Sequence, residues 1–142
     1  MQKSILSAED NDGAQHLLEI ALREVAPEAR LYKVKHGAEA LQFLKKAEPF
    51  TDVPEPDLVL LDLNMPRMDG LDVLREIQKH EDLRKIPVVV ITSSRLASDS
   101  VLCLALGAKH FISKSASYAD FLCDVKTACG YMGPDALAAT TR

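Results

Sequence analysis

The stretch Asp57-Leu58-Val59-Leu60-Leu61-Asp62-Leu63-Asn64-Met65-Pro66-Arg67-Met68-Asp69-Gly70 decides the fold. Leu58 to Leu61 and Leu63 form an apolar run that a single carboxylate, Asp62, interrupts just before a turn containing Pro66 and Gly70. A Leu/Val run without alternation reads as a strand buried on both faces, the pattern of a parallel sheet covered by helices. Asp62 then stands at the carboxyl end of that strand, where open α/β sheets keep their chemistry. Taken alone, Asp62 could also cap a turn or accept loop hydrogen bonds, so the other strand ends have to decide.

Working outward, strands and helices alternate. Residues 3–8 read as a short strand despite their serines, followed by the acidic turn Glu9-Asp10-Asn11-Asp12. Asn11 or Asp12 suits the N-cap of a helix whose apolar positions Ala14, Leu17, Leu18, Ala21, Leu22 and Val25 follow the helical period up to Pro27. Residues 30–35 form a second strand whose lysines suit a sheet edge. Gly37 opens a second helix, and a loop with Pro49, Pro54 and Pro56 leads into the strand quoted above. After Gly70 comes a third helix, fraying into the charged segment 79–85. The β-branched run Pro87 to Ile91 is a central strand. A helix over 99–106 with Ser98 or a neighbour as cap, stopped by Gly107, is apolar nearly all round and offers a second contact surface. Residues 110–113 are the fifth strand, and Ser117 begins a fifth helix. This alternation predicts an α/β fold, a doubly wound, flavodoxin-like five-stranded parallel sheet in the order 2-1-3-4-5. In that order strands one and three are neighbours, and Glu9, Asp10 and Asp62 share one crevice.

Composition narrows the function. The chain has 142 residues, enough for one domain with a real core and no covalent staples. A net charge of -4 without a basic stripe, and only 5 % aromatic residues, argue against a nucleic-acid surface and direct DNA binding. Cys103, Cys123 and Cys129 lack metal or redox spacing and read as reduced, mostly buried thiols. His16, His36, His80 and His110 read as scattered surface residues. The sequence has no signal-peptide pattern and no apolar run of membrane-spanning length, so a cytoplasmic location is expected.

Carboxylates sharing a crevice repel one another, each pair by up to about 4 kcal/mol at ~4 Å and an effective dielectric near 20. A cation must compensate, and an all-oxygen donor set suits a hard divalent ion, Mg²⁺ above all, with the main-chain carbonyl of Asn64 well placed to join. Thr92 adds a hydroxyl after strand four and Lys114 an ammonium after strand five. A metal and Lys114 to neutralise equatorial oxygens, a hydroxyl donor and an in-line carboxylate constitute a phosphoryl-transfer site whose product is an aspartyl phosphate on Asp62.

The set Glu9-Asp10, Asp62 with Met65-Pro66 and Asp69-Gly70, Thr92 and Lys114, spread through five βα units, resembles the receiver domain of two-component response regulators. The resemblance spans residues 3 to about 129. The Pro-rich loop, the Glu9-Asp10-Asn11-Asp12 start and the run after Lys114 are most similar to single-domain regulators that serve bacterial phytochromes and related histidine kinases. It implies Asp62 as phosphoacceptor, Glu9 and Asp10 with Asp62 as Mg²⁺ ligands, Thr92 as switch hydroxyl, Lys114 as phosphate-binding cation and Phe111 as switch aromatic. Asn64 and Ser94 match positions that tune dephosphorylation. It further implies a sensor histidine kinase, with a bacterial phytochrome as candidate, as phosphodonor. The protein itself would catalyse only its own phosphorylation and the slow loss of the phosphoryl group. Two positions depart from the family. Ser115 stands where proline and a cis bond are usual, and since a cis bond without proline costs about 2.5–4 kcal/mol a trans bond is expected. Glu9, where Asp is commoner, lengthens one ligand arm.

The organisation expected is a receiver over 1–130 and a C-terminal tail over 131–142. With no output domain after residue 130, the signal would leave by protein contact, and Tyr131, Met132 and Leu137 make the tail a candidate dimerisation arm. Three other readings stand beside this one. A flavin carrier would need a Ser/Thr/Gly-rich loop after strand one, where acids stand; an aspartyl phosphatase would need its nucleophile after strand one. A receiver-like scaffold that is never phosphorylated remains open because Ser115 leaves the Lys114 loop in doubt.

Overall fold

The computed structural model describes residues 2–65, 68–94, 96–114 and 117–133. Five parallel strands, β1 (Ser4–Ala8), β2 (Arg30–Val34), β3 (Leu58–Leu61), β4 (Val88–Thr92) and β5 (His110–Ser113), form one sheet in the order β2-β1-β3-β4-β5. Between and after them run α1 (Asp12–Val25), α2 (Gly37–Leu44), α3 (Gly70–Gln78), α4 (Ala97–Ala105) and α5 (Tyr118–Cys129). The expected order is the observed one.

The uninterrupted apolar runs follow from two separate cores. In β3, Leu58 and Leu60 pack with Leu18, Leu22, Phe121 and Val125 of α1 and α5. Val59 and Leu61 face the other way, into Phe43, Val73, Leu74 and Cys103 of α2, α3 and α4. Successive strand residues point to opposite faces, so both registers of the strand must be apolar. β4 repeats the division, with Val88 and Val90 on one side and Val89 and Ile91 on the other. None of the described helices is long and apolar enough to cross a membrane.

Several boundaries moved. Asn11 is the N-cap of α1, accepting from the Ala14 amide at 2.8 Å, and Ser117 caps α5 by accepting from Asp120. Within α1, Leu17 is exposed, whereas Gln15 is buried in line with Leu18, Leu22 and Val25. The helical period of the apolar residues includes Leu17 and gives Gln15 no part in the stripe. α4 starts two residues earlier than expected, with Leu96 rather than Ser98 at the cap and no side-chain cap hydrogen bond. The segment after α3 is not simply frayed. It forms a 3₁₀ turn over Leu83–Lys85 that buries Leu83 and Ile86. Cys103 and Cys129 are buried but Cys123 is exposed. His36 is half-buried, and its Nδ1 has no hydrogen-bond partner. The chain closes α5 with a 3₁₀ turn over Gly130–Met132.

Candidate functional site

Strand register assembles the site. Ala8 pairs with Leu61 across β1 and β3, so the residues immediately beyond, Glu9 and Asp62, emerge side by side. The Asp62 amide donates to the Ala8 carbonyl at 3.0 Å and extends that pairing past the strand end. On the other flank Thr92 pairs with Ser113, and the Lys114 amide donates to the Thr92 carbonyl at 2.7 Å. Lys114 is thereby directed into the same crevice.

Glu9, Asp10 and Asp62 each offer one carboxylate oxygen, and these oxygens all lie within 4.8 Å of one another. Glu9 is 7 % and Asp62 5 % exposed, while Asp10 is open to solvent. Lys114 Nζ lies 2.5 Å from Glu9 Oε1 and 3.6 Å from Asp62 Oδ2, bridging the two buried acids. The Glu9 carboxyl is raised to about 7: burial raises it most, the bond from Lys114 pulls it down, and the adjacent Asp62 charge pushes it up again. An apolar cavity of ≈ 130 Å³, lined in part by Leu17, Leu18, Leu60, Ile91 and Phe121, adjoins these groups. The low-polarity surroundings account for that desolvation.

The hard, all-oxygen donor set and its spacing fit a divalent cation of the Mg²⁺ type, which takes one or two carboxylates, keeps several waters and has no use for Cys or His. Even with Glu9 raised to about 7, one ammonium does not balance three clustered carboxyl groups, so the cluster retains an excess that a divalent ion would neutralise.

Asn64 and Thr92 join the two halves of the crevice. Asp62 Oδ1 accepts from the Asn64 amide at 3.3 Å, and the Asn64 side chain reaches Thr92 Oγ1 at 3.5 Å. Thr92 is fully buried and sits inside β4 rather than after it; its hydroxyl oxygen also accepts from the Ser94 amide at 3.4 Å. The Ser94 hydroxyl turns the other way and donates to Asp99 Oδ2 of α4 at 2.5 Å, while Ser113 Oγ donates to the Ser94 carbonyl at 3.0 Å. Phe111, on β5, is half-buried and packs against the core that contains α3 and Cys103 of α4. The structure therefore groups Glu9, Asp10, Asp62 and Lys114 directly. Asn64 and Thr92 connect to them by hydrogen bonds, Ser94 follows at one remove, and Phe111 stands off in the core.

Gly70 lets the loop fold back over Asp62, since a Cβ there would lie 2.5 Å from the Asp62 carbonyl oxygen and 2.9 Å from Leu63 Cα. Sequence reading missed Gln15, whose amide joins the turn that carries Glu9. The available signal was a polar residue three positions before Leu18 on the buried stripe of an amphipathic helix. The question of the Lys114-Ser115 bond and most of the 131–142 tail, Leu137 included, lie outside the described residues.

The family model described as response regulator receiver domain matches residues 5–126. Response regulator Rcp1 of Synechocystis sp. is 35% identical over 118 residues, 83% of this chain and 80% of that protein. The crystal structure of its Mn(2+)-bound form superimposes with a TM-score of 0.84 at 32% identity, covering 96% of this chain and 99% of that one. The phosphorylated cyanobacterial phytochrome response regulator RcpA gives a TM-score of 0.87 at 32% identity over 98% and 100% of the two chains. A response regulator in red light signaling of R. palustris gives 0.84 at 29% identity over 97% and 99%.

Proposed function

The chain belongs to the response regulator receiver domain family of two-component signalling systems, and from that premise we propose that Asp62 is its phosphoacceptor. The observation that carries this reading is the buried Asp62 carboxylate held in one crevice with Glu9, Asp10 and Lys114. An Asp62 carboxylate oxygen attacks the phosphorus of a phosphohistidine on a sensor histidine kinase. The O–P bond forms as the P–N bond breaks, and the histidine ring, already protonated on its other nitrogen, leaves with the bonding electron pair as neutral imidazole. Lys114 moves from its two carboxylates to the transferred phosphoryl oxygens, and the Thr92 hydroxyl donates to the same group. Glu9, Asp10 and Asp62, with the Asn64 carbonyl, are the residues that would hold Mg²⁺, which supplies charge neutralisation when bound.

The similarity to RcpA and to the red-light regulator supports a phytochrome-type histidine kinase as donor. The protein acts as a cytoplasmic phosphoprotein that catalyses only its own phosphorylation and the slow loss of the phosphoryl group, at a rate that Asn64 and Ser94 tune. Charge added at Asp62 shifts the population toward a state in which Thr92 and Phe111 reorient and the α4-β5-α5 face changes partners. The receiver occupies 1–130, and the 131–142 tail serves as an arm toward a second copy.

The test is to add Mg²⁺ with a small phosphodonor or beryllofluoride and follow amide NMR shifts and oligomer size in wild type and Asp62→Asn. Wild type is expected to show large shifts around Thr92 and Phe111, and Asp62→Asn none. A wild type that does not respond, or a variant that responds equally, overturns the assignment and leaves an unphosphorylated scaffold.

A further inference from the structure

Gln15 is a buried polar side chain on the apolar face of α1, 5 % exposed. Its Nε2 lies 3.2 Å from the Ser7 carbonyl, 3.2 Å from the Glu9 carbonyl and 3.1 Å from the Val34 carbonyl. Its Oε1 accepts from Ser7 Oγ at 2.8 Å. Three acceptors around one nitrogen and one hydroxyl donor on the oxygen fix the amide's orientation, because the flipped amide would set its oxygen against three carbonyls. These carbonyls belong to the carboxyl ends of β1 and β2 and to the turn between β1 and α1. The Val34 carbonyl also accepts from the Glu9 amide at 3.1 Å, so the Glu9 backbone is held at both its N–H and its carbonyl.

We propose that Gln15 is a positioning residue for the divalent-cation site: it fixes the backbone of Glu9, and through it the direction in which the Glu9 and Asp10 carboxylates enter the crevice. The inference rests on the acidic cluster being a metal site. An amide suits this task better than an apolar residue. The Val34 carbonyl already has the Glu9 amide as a donor, whereas among the described residues the Glu9 carbonyl has only Gln15, and free to turn it would rotate the peptide that leads into Asp10. Asn would be one methylene too short to reach three carbonyls from α1, and Glu carries no N–H to offer them. Partners outside the ligand set that orient metal ligands typically alter affinity by about 10–100-fold when removed.

The test uses the full chain and Mn²⁺ as probe, read by its paramagnetic broadening and by direct titration in wild type, Gln15→Met, Asp10→Asn and Val25→Ala. Val25 is 4 % exposed on the same helix, in its last turn, so Val25→Ala reports loss of α1 stability alone. Gln15→Met is expected to weaken Mn²⁺ binding by about 10-fold or more and to move the Glu9 and Asp10 amide resonances of the metal-free protein. Val25→Ala should lower the unfolding midpoint while leaving both readouts at wild-type values. Gln15→Met with wild-type affinity, or Val25→Ala with the same loss of affinity, overturns the positioning role. If wild type binds Mn²⁺ no better than Asp10→Asn, the acidic-site reading itself fails and takes the inference with it, an outcome separate from the other two.

Discussion

α1 and α4 both follow a strand end that carries site residues, yet they are anchored in opposite ways. α1 starts at a capped Asn11, buries Gln15, Leu18, Ala21, Leu22 and Val25 and packs on α5. α4 has no side-chain cap at Leu96 and, among its own residues, buries Cys103, leaving Leu96 (64 %), Val101 (68 %) and Leu104 (48 %) exposed at its start and along its length. The half of the crevice that carries the acids therefore rests on a helix tied to the core. The half that carries Thr92 and Ser94 adjoins a helix held by few buried contacts. Local stability is uneven in proteins, and elements that change state come from its low end. On the proposed function, the acidic ligands are the fixed part of the site and α4 is the element able to shift.

The largest break in that comparison comes from making one substitution on each helix. Leu22→Ala, at 5 % exposure on α1, should cost about 2–5 kcal/mol because the site cannot collapse around the missing atoms. Leu104→Ala, the same chemical change on α4, should stay within about 0.5 kcal/mol. Urea unfolding of the two variants measures both. Comparable losses would mean that α4 is as firmly bound as α1.

A smaller effect sharpens the acidic half. The Glu9 carboxyl is raised from 4.5 to about 7 by burial, so the folded, metal-free protein binds its proton more tightly than the unfolded chain does. The associated stability is fully present below about pH 4.5 and is lost as pH rises through about 7. Between pH 5 and pH 8 wild type should therefore lose roughly 1–3 kcal/mol through this group. Glu9→Gln, which stays uncharged, should lack that part of the slope. Chemical denaturation across this pH range in the presence of a chelator checks it, and identical slopes for the two proteins would show that Glu9 does not titrate there.

The fold was legible because its two central strands announce their burial. The Leu58–Leu61 and Val88–Ile91 runs admit no one-faced reading, and the carboxylate, hydroxyl and ammonium of Asp62, Thr92 and Lys114 all stand at strand ends. Pairing Ala8 with Leu61 then follows from topology alone. Less legible were features set by tertiary contacts. Gln15 looks like a surface glutamine until the carbonyls of Ser7, Glu9 and Val34 converge on it. Ser94 corresponds to a position that in the family tunes dephosphorylation, yet its hydroxyl is turned toward Asp99 in the first turn of α4. Propensity cannot foresee a helix whose first turn is fixed from the preceding strand instead of by its own cap.

The Ser94–Asp99 bond is the smallest and most local of the tests. Ser94 Oγ donates to Asp99 Oδ2 and accepts from the Leu96 amide at 3.4 Å, so one hydroxyl ties the end of β4 to the first turn of α4. The loop is partly exposed and water can replace the serine, which places the loss in Ser94→Ala near 0.5–1.5 kcal/mol. Every ~1.4 kcal/mol is tenfold in an opening equilibrium, so amide hydrogen exchange in α4 should speed up by roughly 2- to 10-fold. The α1 amides should be unaffected, because their anchors do not pass through Ser94. Acceleration in both helices would show that the two halves of the crevice open together. No acceleration in α4 would show that Cys103 and its neighbours, rather than this hydroxyl, hold the helix in place.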